Sequence, residues 1–339
     1  MNPVSNTAND PRCEALQDWL AGCFPGERLK LEPASADASF RRYFRVASAG
    51  GTRIAMDAPP QSEDTSPFIR VAALMHEAGL HVPEVLAADT AQGFLLLTDL
   101  GPTTYLKAIN EANADALFSD AIKALITWQR ASRPGVLPPY DRALLQRELD
   151  LFPEWYAGRH LSTTLSETQQ TVLARINNLL IDSALAQPQV YVHRDYMPRN
   201  LMLSEPNPGV LDFQDAVYGP ITYDLASLFR DAFISWPEPR VIDWVARYWE
   251  QAKRAGLPVD ADFGEFYRAF EWMGLQRHLK VLGIFARIRY RDGKPAYLED
   301  APRFLRYARE VAARYAALSP LLQLLDELEQ RKPQVGYTF

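Results

Sequence analysis

His193, Asp195 and Asn200 stand in the spacing H-x-D-x-x-x-x-N, and Asp212 follows twelve residues after Asn200 in the run L-D-F-Q. These residue types suit phosphoryl transfer. The attacking hydroxyl needs an acceptor for its proton, a triphosphate needs oxygen ligands that hold magnesium against it, and most of the remaining work is positioning and charge neutralisation. Asp195 fits the first task. Asn200 and Asp212 fit the second, because an amide carbonyl and a carboxylate are hard oxygen donors. His193 is a softer nitrogen donor and reads as a brace of the loop through hydrogen bonds. At this composition the three-residue spacing arises by chance in about one such chain in a hundred, so the plain alternative of a structural loop is weighed against its setting.

Loops that carry catalytic groups must be held by rigid elements. Segment 189–213 has three short apolar runs separated by polar, Pro-rich turns, the pattern of brief strands with loops at their ends. Before it, 40–98 reads as a small mixed lobe. RRYFRVAS and TRIAMDA around Gly50 and Gly51, then EVLAAD and GFLLLTD, read as strands. Between the second and third, SPFIRVAALMHEAGL has helical spacing, with a cap at Ser66, Pro67 in the first turn and a stop at Gly79. A short amphipathic helix with Leu16, Trp19 and Leu20 precedes the strands, and polar residues 1–12 predict a frayed terminus. Beyond Asp99, amphipathic stretches at about 112–131, 142–159, 166–186, 222–234, 238–255, 260–290 and 301–329 predict helices. The expected fold class is therefore α+β, with a small mixed β-sheet lobe over 1–98 and a large, mainly α-helical lobe over 99–339.

The 339 residues are 47% hydrophobic and 23% charged, which leaves material for a large core and excludes a disordered or fibrous chain. Lys and Arg number 36 against 42 Asp and Glu, a net charge of -6, so no global positive field draws in a nucleic acid or an anionic bilayer. Neither is expected as a partner. The cations are 29 Arg and only 7 Lys, and the Arg fork favours fixed contacts to phosphate or carboxylate. Cys13 and Cys23, the only cysteines, have no zinc-ligand spacing and rule out a disulfide framework. No uncharged run exceeds the 11 residues from Tyr315 to Leu325, and MNPVSNTANDPRC lacks both a basic and an apolar leader region. A cytoplasmic, monomeric protein is expected.

HRDYMPRN together with LDFQDAVYGPITYDLASL resembles the aminoglycoside phosphotransferase and choline kinase branch of the protein-kinase-like fold, and the resemblance covers nearly the whole chain. It implies ATP and Mg2+ as cofactors, with nucleotide bound by the first lobe and acceptor by the second. It also implies Asp195 as catalytic base, Asn200 and Asp212 as magnesium ligands, and Asp224 in YDLA as a structural carboxylate bracing the catalytic loop. Asp224 equally suits a helix N-cap. SADASFRRYFRV resembles the family's loop between its first two strands, which implies that Ser39 meets phosphate. GFLLLTDLG resembles the lobe connector, which implies that Thr98, Asp99 and Leu100 meet the adenine edge while Leu97 lines the pocket; FLLL alone also reads as a buried strand.

Two departures from that pattern stand out. Met56, followed by Asp57, lies near the slot where the family places a phosphate-neutralising lysine, and Met197 stands two residues beyond Asp195, where protein kinases have another. Arg42, Arg45, Arg53 and Arg199 are the candidate replacements, each with the alternative of being a solvated residue. In the helical lobe, FEWMGLQRHLKVLGIFARIRY is apolar around much of its circumference yet interrupted by Gln276, Arg277, His278 and Lys280. Buried polar groups need partners, so these residues either pack against neighbouring helices or face an acceptor, with Gln276, Arg277 and Arg199 as candidate substrate contacts. The combination SFRRYFRV, MDAPP, FLLLTDLG, ELDLFPEWY, HRDYMPRN, DFQDAVYGP and QRHLKVLGIF is similar to bacterial kinases that phosphorylate amino sugars at the anomeric hydroxyl. That similarity implies N-acetylmuramate and N-acetylglucosamine as acceptors, in cell-wall (peptidoglycan) recycling. The alternatives are a kinase for another hydroxyl compound, such as an aminoglycoside or choline-like alcohol, and a catalytically silent nucleotide-binding scaffold suggested by Met56 and Met197.

Overall fold

Asp10 opens the first helix, α1 (Pro11–Cys23): its carboxylate accepts the amides of Arg12 and Cys13, and Pro11 sits where a missing N–H costs nothing. The computed structural model describes residues 10–35 and 40–330; within it Pro11 and Arg12 are helical rather than frayed, and the rest of that expectation, residues 1–9, lies outside the described residues. Strands β1 (Lys30–Ser35), β2 (Arg42–Ser48) and β3 (Gly51–Asp57) follow, then α2 (Ser66–Glu77), β4 (Val85–Asp89) and β5 (Phe94–Thr98). They form one five-stranded sheet in the order β1-β2-β3-β5-β4. All four pairings are antiparallel, which corrects the expectation of a mixed sheet. β1 escapes the sequence pattern because KLEPAS is short, polar and broken by Pro33, a residue tolerated at a sheet edge. Ser66 is the first helical residue of α2 rather than its cap, and its amide donates to the Asp64 carboxylate at 2.8 Å.

Alternation across the strands gives the sheet two faces. Phe44, Val46, Ala55, Phe94 and Leu96 join Leu16 and Leu20 of α1 in one core cluster, with Trp19 packed at its margin. Asp57 shares the Ala55 face and is fully buried there, bonded to Arg12 of α1 and to Arg42. Met56, Leu95 and Leu97 point the other way and are buried too. Met56 lies opposite Tyr43 on one side and Leu95 on the other.

The chain continues through α3 (Tyr105–Ala108), α4 (Ala114–Arg130), α5 (Arg142–Leu149), a π-helical segment (Phe152–His160) and α6 (Glu167–Ala186). Next come β6 (Gln189–Val192), a 3-10 turn (Pro198–Asn200), β7 (Leu201–Met202), β8 (Gly209–Val210) and β9 (Val217–Pro220). Last are α7 (Tyr223–Phe229), α8 (Glu238–Arg254), α9 (Phe263–Asp292), α10 (Ala301–Arg314) and α11 (Pro320–Leu328). The helix expected over 142–159 changes to π spacing around Pro153, which has no N–H to donate. The one expected over 301–329 breaks at Tyr315, whose backbone is extended, and restarts at Pro320.

The chain divides into two compact units. One comprises the described residues up to Ala108 with Arg199–Asp215, and the other Ile109–Pro198 with the described residues from Ala216 on. The sequence reading draws its boundary at 98; the first unit runs on to Ala108 and takes in the β7–β8 hairpin. In the second unit α9 is the central element, packed against α6, α7, α10 and the π-helical segment. No described helix is long and apolar enough to cross a membrane.

Candidate active site

In the second unit, buried strand β6 delivers the chain into the loop that carries Asp195. Asp224, in the first turn of α7 and fully buried, accepts the His193 amide on Oδ2 at 2.7 Å and the Arg194 amide on Oδ1 at 3.0 Å. Those bonds hold Arg194 at a φ of 76°, a left-handed conformation unfavourable for a long side chain. Asp224 caps no helix, because α7 begins at Tyr223 with Thr222 before it. The buried His193 ring accepts the Asp195 amide on Nδ1 at 3.2 Å and lies edge-on to Tyr196, whose hydroxyl donates to the Ala121 carbonyl at 2.8 Å. The Met197 amide closes the turn on the Asp195 carbonyl at 2.9 Å. The loop thus has one shape, and Asp195 is its partly exposed carboxylate. Burial pushes the Asp224 carboxyl up to about 7; its two amide bonds work against that shift, the neighbouring Asp195 charge adds to it, and Arg277 opposes it.

A second buried carboxylate, Glu148 of α5, organises the groups around Arg194. It accepts the Tyr140 hydroxyl, Arg194 Nη2 at 2.5 Å, Lys280 Nζ at 2.9 Å and Gln276 Nε2 at 3.2 Å. Lys280 also donates to the Tyr223 hydroxyl at 3.0 Å. Burial alone would raise the Glu148 pKa, but Lys280 and Arg194 with the Tyr140 hydrogen bond bring it down to about 2. Gln276, Arg277, His278 and Lys280 of α9 are therefore buried within the second unit. Gln276 gives its amide nitrogen to Glu148, Arg277 sits in the field of Asp224 and Asp231, and His278 lies between the rings of Phe304 and Tyr307. Gln276 Oε1 and Arg277 Nη1 are buried without a hydrogen-bond partner. Glu148 carries no role in the sequence reading, and Lys280 enters it only as one of four polar residues that interrupt a largely apolar helix.

In the first unit, β7 and β8 pair Leu201 with Val210 and so bring Asn200 and Asp212 together at one end of the hairpin. The Leu211 amide donates to the Asn200 carbonyl at 2.9 Å, and Asn200 Nδ2 donates to Asp212 Oδ2 at 3.2 Å. Gln214 Nε2, absent from the sequence reading, donates to Asp212 Oδ1 at 2.9 Å. Asp212 has a φ of 63°, and Phe213 turns inward to meet Phe68 of α2 at 4.9 Å. Arg199 lies on the turn just before Asn200. One carboxylate and one amide carbonyl, side by side, form a hard-oxygen donor set that fits magnesium, an ion that takes few protein ligands and completes its shell with water and phosphate. Among the described residues no cluster of three or more His, Cys, Asp or Glu forms a closed metal cage.

Arg42 points toward α1, where it is bonded to Asp10 and to Asp57 at 2.9 Å, so its charge is already committed to carboxylates. Asp99 takes Arg45 Nε at 2.6 Å and the Gly101 amide at 2.9 Å, while Thr98 Oγ1 accepts the Glu84 amide. Both side chains hold the segment after β5 in place. Leu100 is buried. Ser39 lies outside the described residues.

A two-unit fold with an antiparallel sheet in one unit and a helical second unit carrying this loop defines a class, and comparison with known proteins gives the same one. The model of the phosphotransferase enzyme family matches residues 30–263, and the chain belongs to that family. Its relatives include the N-acetylmuramate/N-acetylglucosamine kinase of Pseudomonas putida, 58% identical over 299 residues that cover 88% of each chain. The protein of the same description from Pseudomonas aeruginosa is 54% identical over 333 residues, covering 95% of this chain and 98% of the relative. Among solved structures, an ethanolamine kinase of Plasmodium vivax aligns with a TM-score of 0.62 at 10% identity, covering 88% of this chain and 86% of that one. The aminoglycoside phosphotransferase APH(2'')-Ib with ADP bound aligns with a TM-score of 0.57 at 13% identity, covering 88% and 98%. At such identities these structures establish the fold.

Proposed function

We propose that this phosphotransferase is an ATP-dependent sugar kinase that converts N-acetylmuramate and N-acetylglucosamine to their 1-phosphates and releases ADP. The observation that carries this reading is 58% and 54% identity, over nearly the full chain, to two kinases named for those two sugars. The site supports it chemically. Asp195, fixed by His193 and by the amides that Asp224 holds, accepts the proton of the C1 hydroxyl, which is more acidic than an ordinary alcohol and within reach of a carboxylate base. Asn200 and Asp212 hold magnesium, which supplies charge neutralisation at the phosphates when bound. Thr98, Asp99 and Leu100 carry the backbone that meets the adenine edge, and the first unit serves the nucleotide. Arg199, Gln276 and Arg277 are the acceptor contacts of this reading, since the lactyl carboxylate of N-acetylmuramate calls for a cation.

The product places the enzyme in cell-wall recycling, as a cytoplasmic monomer that returns free amino sugars to an activated form. The test is ADP release with ATP and magnesium over a panel of N-acetylmuramate, N-acetylglucosamine, an aminoglycoside and choline, with product position read by phosphorus NMR. The expected result is turnover of the two N-acetylated sugars with a phosphorus resonance coupled to the anomeric proton. Turnover of the aminoglycoside or choline alone reassigns the acceptor. No ADP release with any acceptor makes the chain a nucleotide-binding scaffold.

A further inference from the structure

Transfer from a nucleoside triphosphate requires protein cations on the phosphate chain in addition to the metal. On β3 the position near the expected lysine is Met56, fully buried. The arginines on β2 and β3 sort by the face of the sheet they occupy. Alternation puts Arg42 with Phe44 and Val46 on the α1 side, where Asp10 and Asp57 hold it, and Arg12 lies on the same Asp57. Arg53 shares the side of Ala55, and its Nη1 turns back to the Thr52 carbonyl at 2.8 Å. Arg45 is on the opposite face but is chelated by Asp99, at 2.6 and 3.0 Å, and by the Gly101 carbonyl at 3.1 Å.

Arg41 directly precedes β2 and continues the alternation of Tyr43, the register partner of Met56. It therefore belongs to the Met56 face. Its side chain, 13% exposed, meets the Glu63 carboxylate at 2.8 Å and lies in the field of Asp212. Glu63 sits in the segment leading into α2, the helix whose Phe68 packs on Phe213 beside Asp212. Burial disfavours the Arg41 charge, and Tyr43, Glu63 and Asp212 more than offset that penalty. A guanidinium is a planar fork that matches phosphate oxygens in pairs.

We propose that Arg41 is the cation that binds the phosphate chain of the nucleoside triphosphate next to Asp212, with Glu63 fixing its guanidinium. The assignment rests on the nucleotide reading above and names the residue that takes the place of the missing lysine. It is tested by isothermal titration of the full chain with ATP, ADP and AMP, each with and without magnesium, alongside the KM for ATP. Arg41→Met should weaken ATP about tenfold or more and leave AMP within about twofold, and Arg41→Lys should recover most of the loss. Glu63→Gln should weaken ATP a few-fold, again without affecting AMP, and it keeps the test decisive if Arg41→Met fails to fold. An ATP-to-AMP preference unchanged in the folded variants, or equal losses for both nucleotides, overturns the assignment. A wild-type protein that does not itself prefer ATP to AMP overturns the nucleotide reading, and this inference with it.

Discussion

Asp195 and Asp224 are carboxylates in one loop system with opposite tasks. Asp224 is buried and spends both oxygens on backbone amides, whereas Asp195 is partly exposed with its backbone pinned by His193 and Met197. Replacing Asp195 by Asn keeps the size but removes the proposed proton acceptor. Turnover should fall by about a thousandfold, while ATP affinity by titration stays within a few-fold. Retained turnover, or loss of ATP binding in a folded variant, would refute the base assignment. The motif residues were legible because they lie within a few positions of one another or on the next short strand, whereas the bonds from Asp224 and to Ala121 that hold their loop come from distant segments. Glu148 was not, since its partners are Tyr140, Arg194, Gln276 and Lys280, and a spacing rule does not see contacts made across 46 residues, as to Arg194, or 128, as to Gln276.

At the scale of elements, α9 shows where local preference and packing disagree. Gly283 lies inside this 30-residue helix, where Ala is intrinsically better by about 1 kcal/mol, so helix propensity alone predicts that Gly283→Ala stabilises the protein. A Cβ at Gly283 would come within 2.4 Å of the Leu151 backbone carbonyl and 2.6 Å of Leu151 Cβ, at the entry to the π-helical segment. A backbone cannot swing aside as the end of a side chain does, and such overpacking costs about 1–3 kcal/mol. Gly283→Ala should therefore lower the melting temperature by several degrees. A rise would mean that the close approach of α9 to this segment is absent in solution. The same distinction explains which elements were readable. β2, β3, β5 and α2 carry apolar runs or helical spacing that go with their burial, β4 is a short apolar run with no buried residue, and the sequence shows them all. β1 is held by its pairing to β2 and has almost no pattern of its own. The breaks at Pro153 and Pro320 were marked in the sequence by proline, but whether a proline kinks, widens or ends a helix is settled by what packs there.

The whole molecule carries a net charge of -6 and a set of buried carboxyls that pull its stability in opposite directions with pH. Burial pushes Asp224 up to about 7 and Asp231 up to about 6, each against the pull of amide hydrogen bonds and Arg277. A carboxyl raised on folding binds its proton more tightly in the folded state. Its stabilisation is complete below the unfolded value of 3.8 and is lost as the pH rises through the folded value. Glu148, brought down to about 2 from 4.5, behaves in the reverse sense: its contribution is present above 4.5 and is lost as the pH falls through about 2. These groups together favour a stability maximum in weak acid and a decline from pH 5 to pH 8, a range over which Glu148 adds nothing to the slope. Self-repulsion of a chain with net negative charge acts in the same direction, so the decline by itself does not identify its source. Asp224→Asn isolates it. The amide cannot titrate and must set its Nδ2 donor against one of the two backbone amides that Asp224 accepts, so the variant should be less stable than wild type at pH 5 yet lose less stability between pH 5 and pH 8. Urea unfolding at pH 5, 6.5 and 8 reads both quantities. Equal slopes for the two proteins would place the pH dependence in the surface charge and remove Asp224 as its cause.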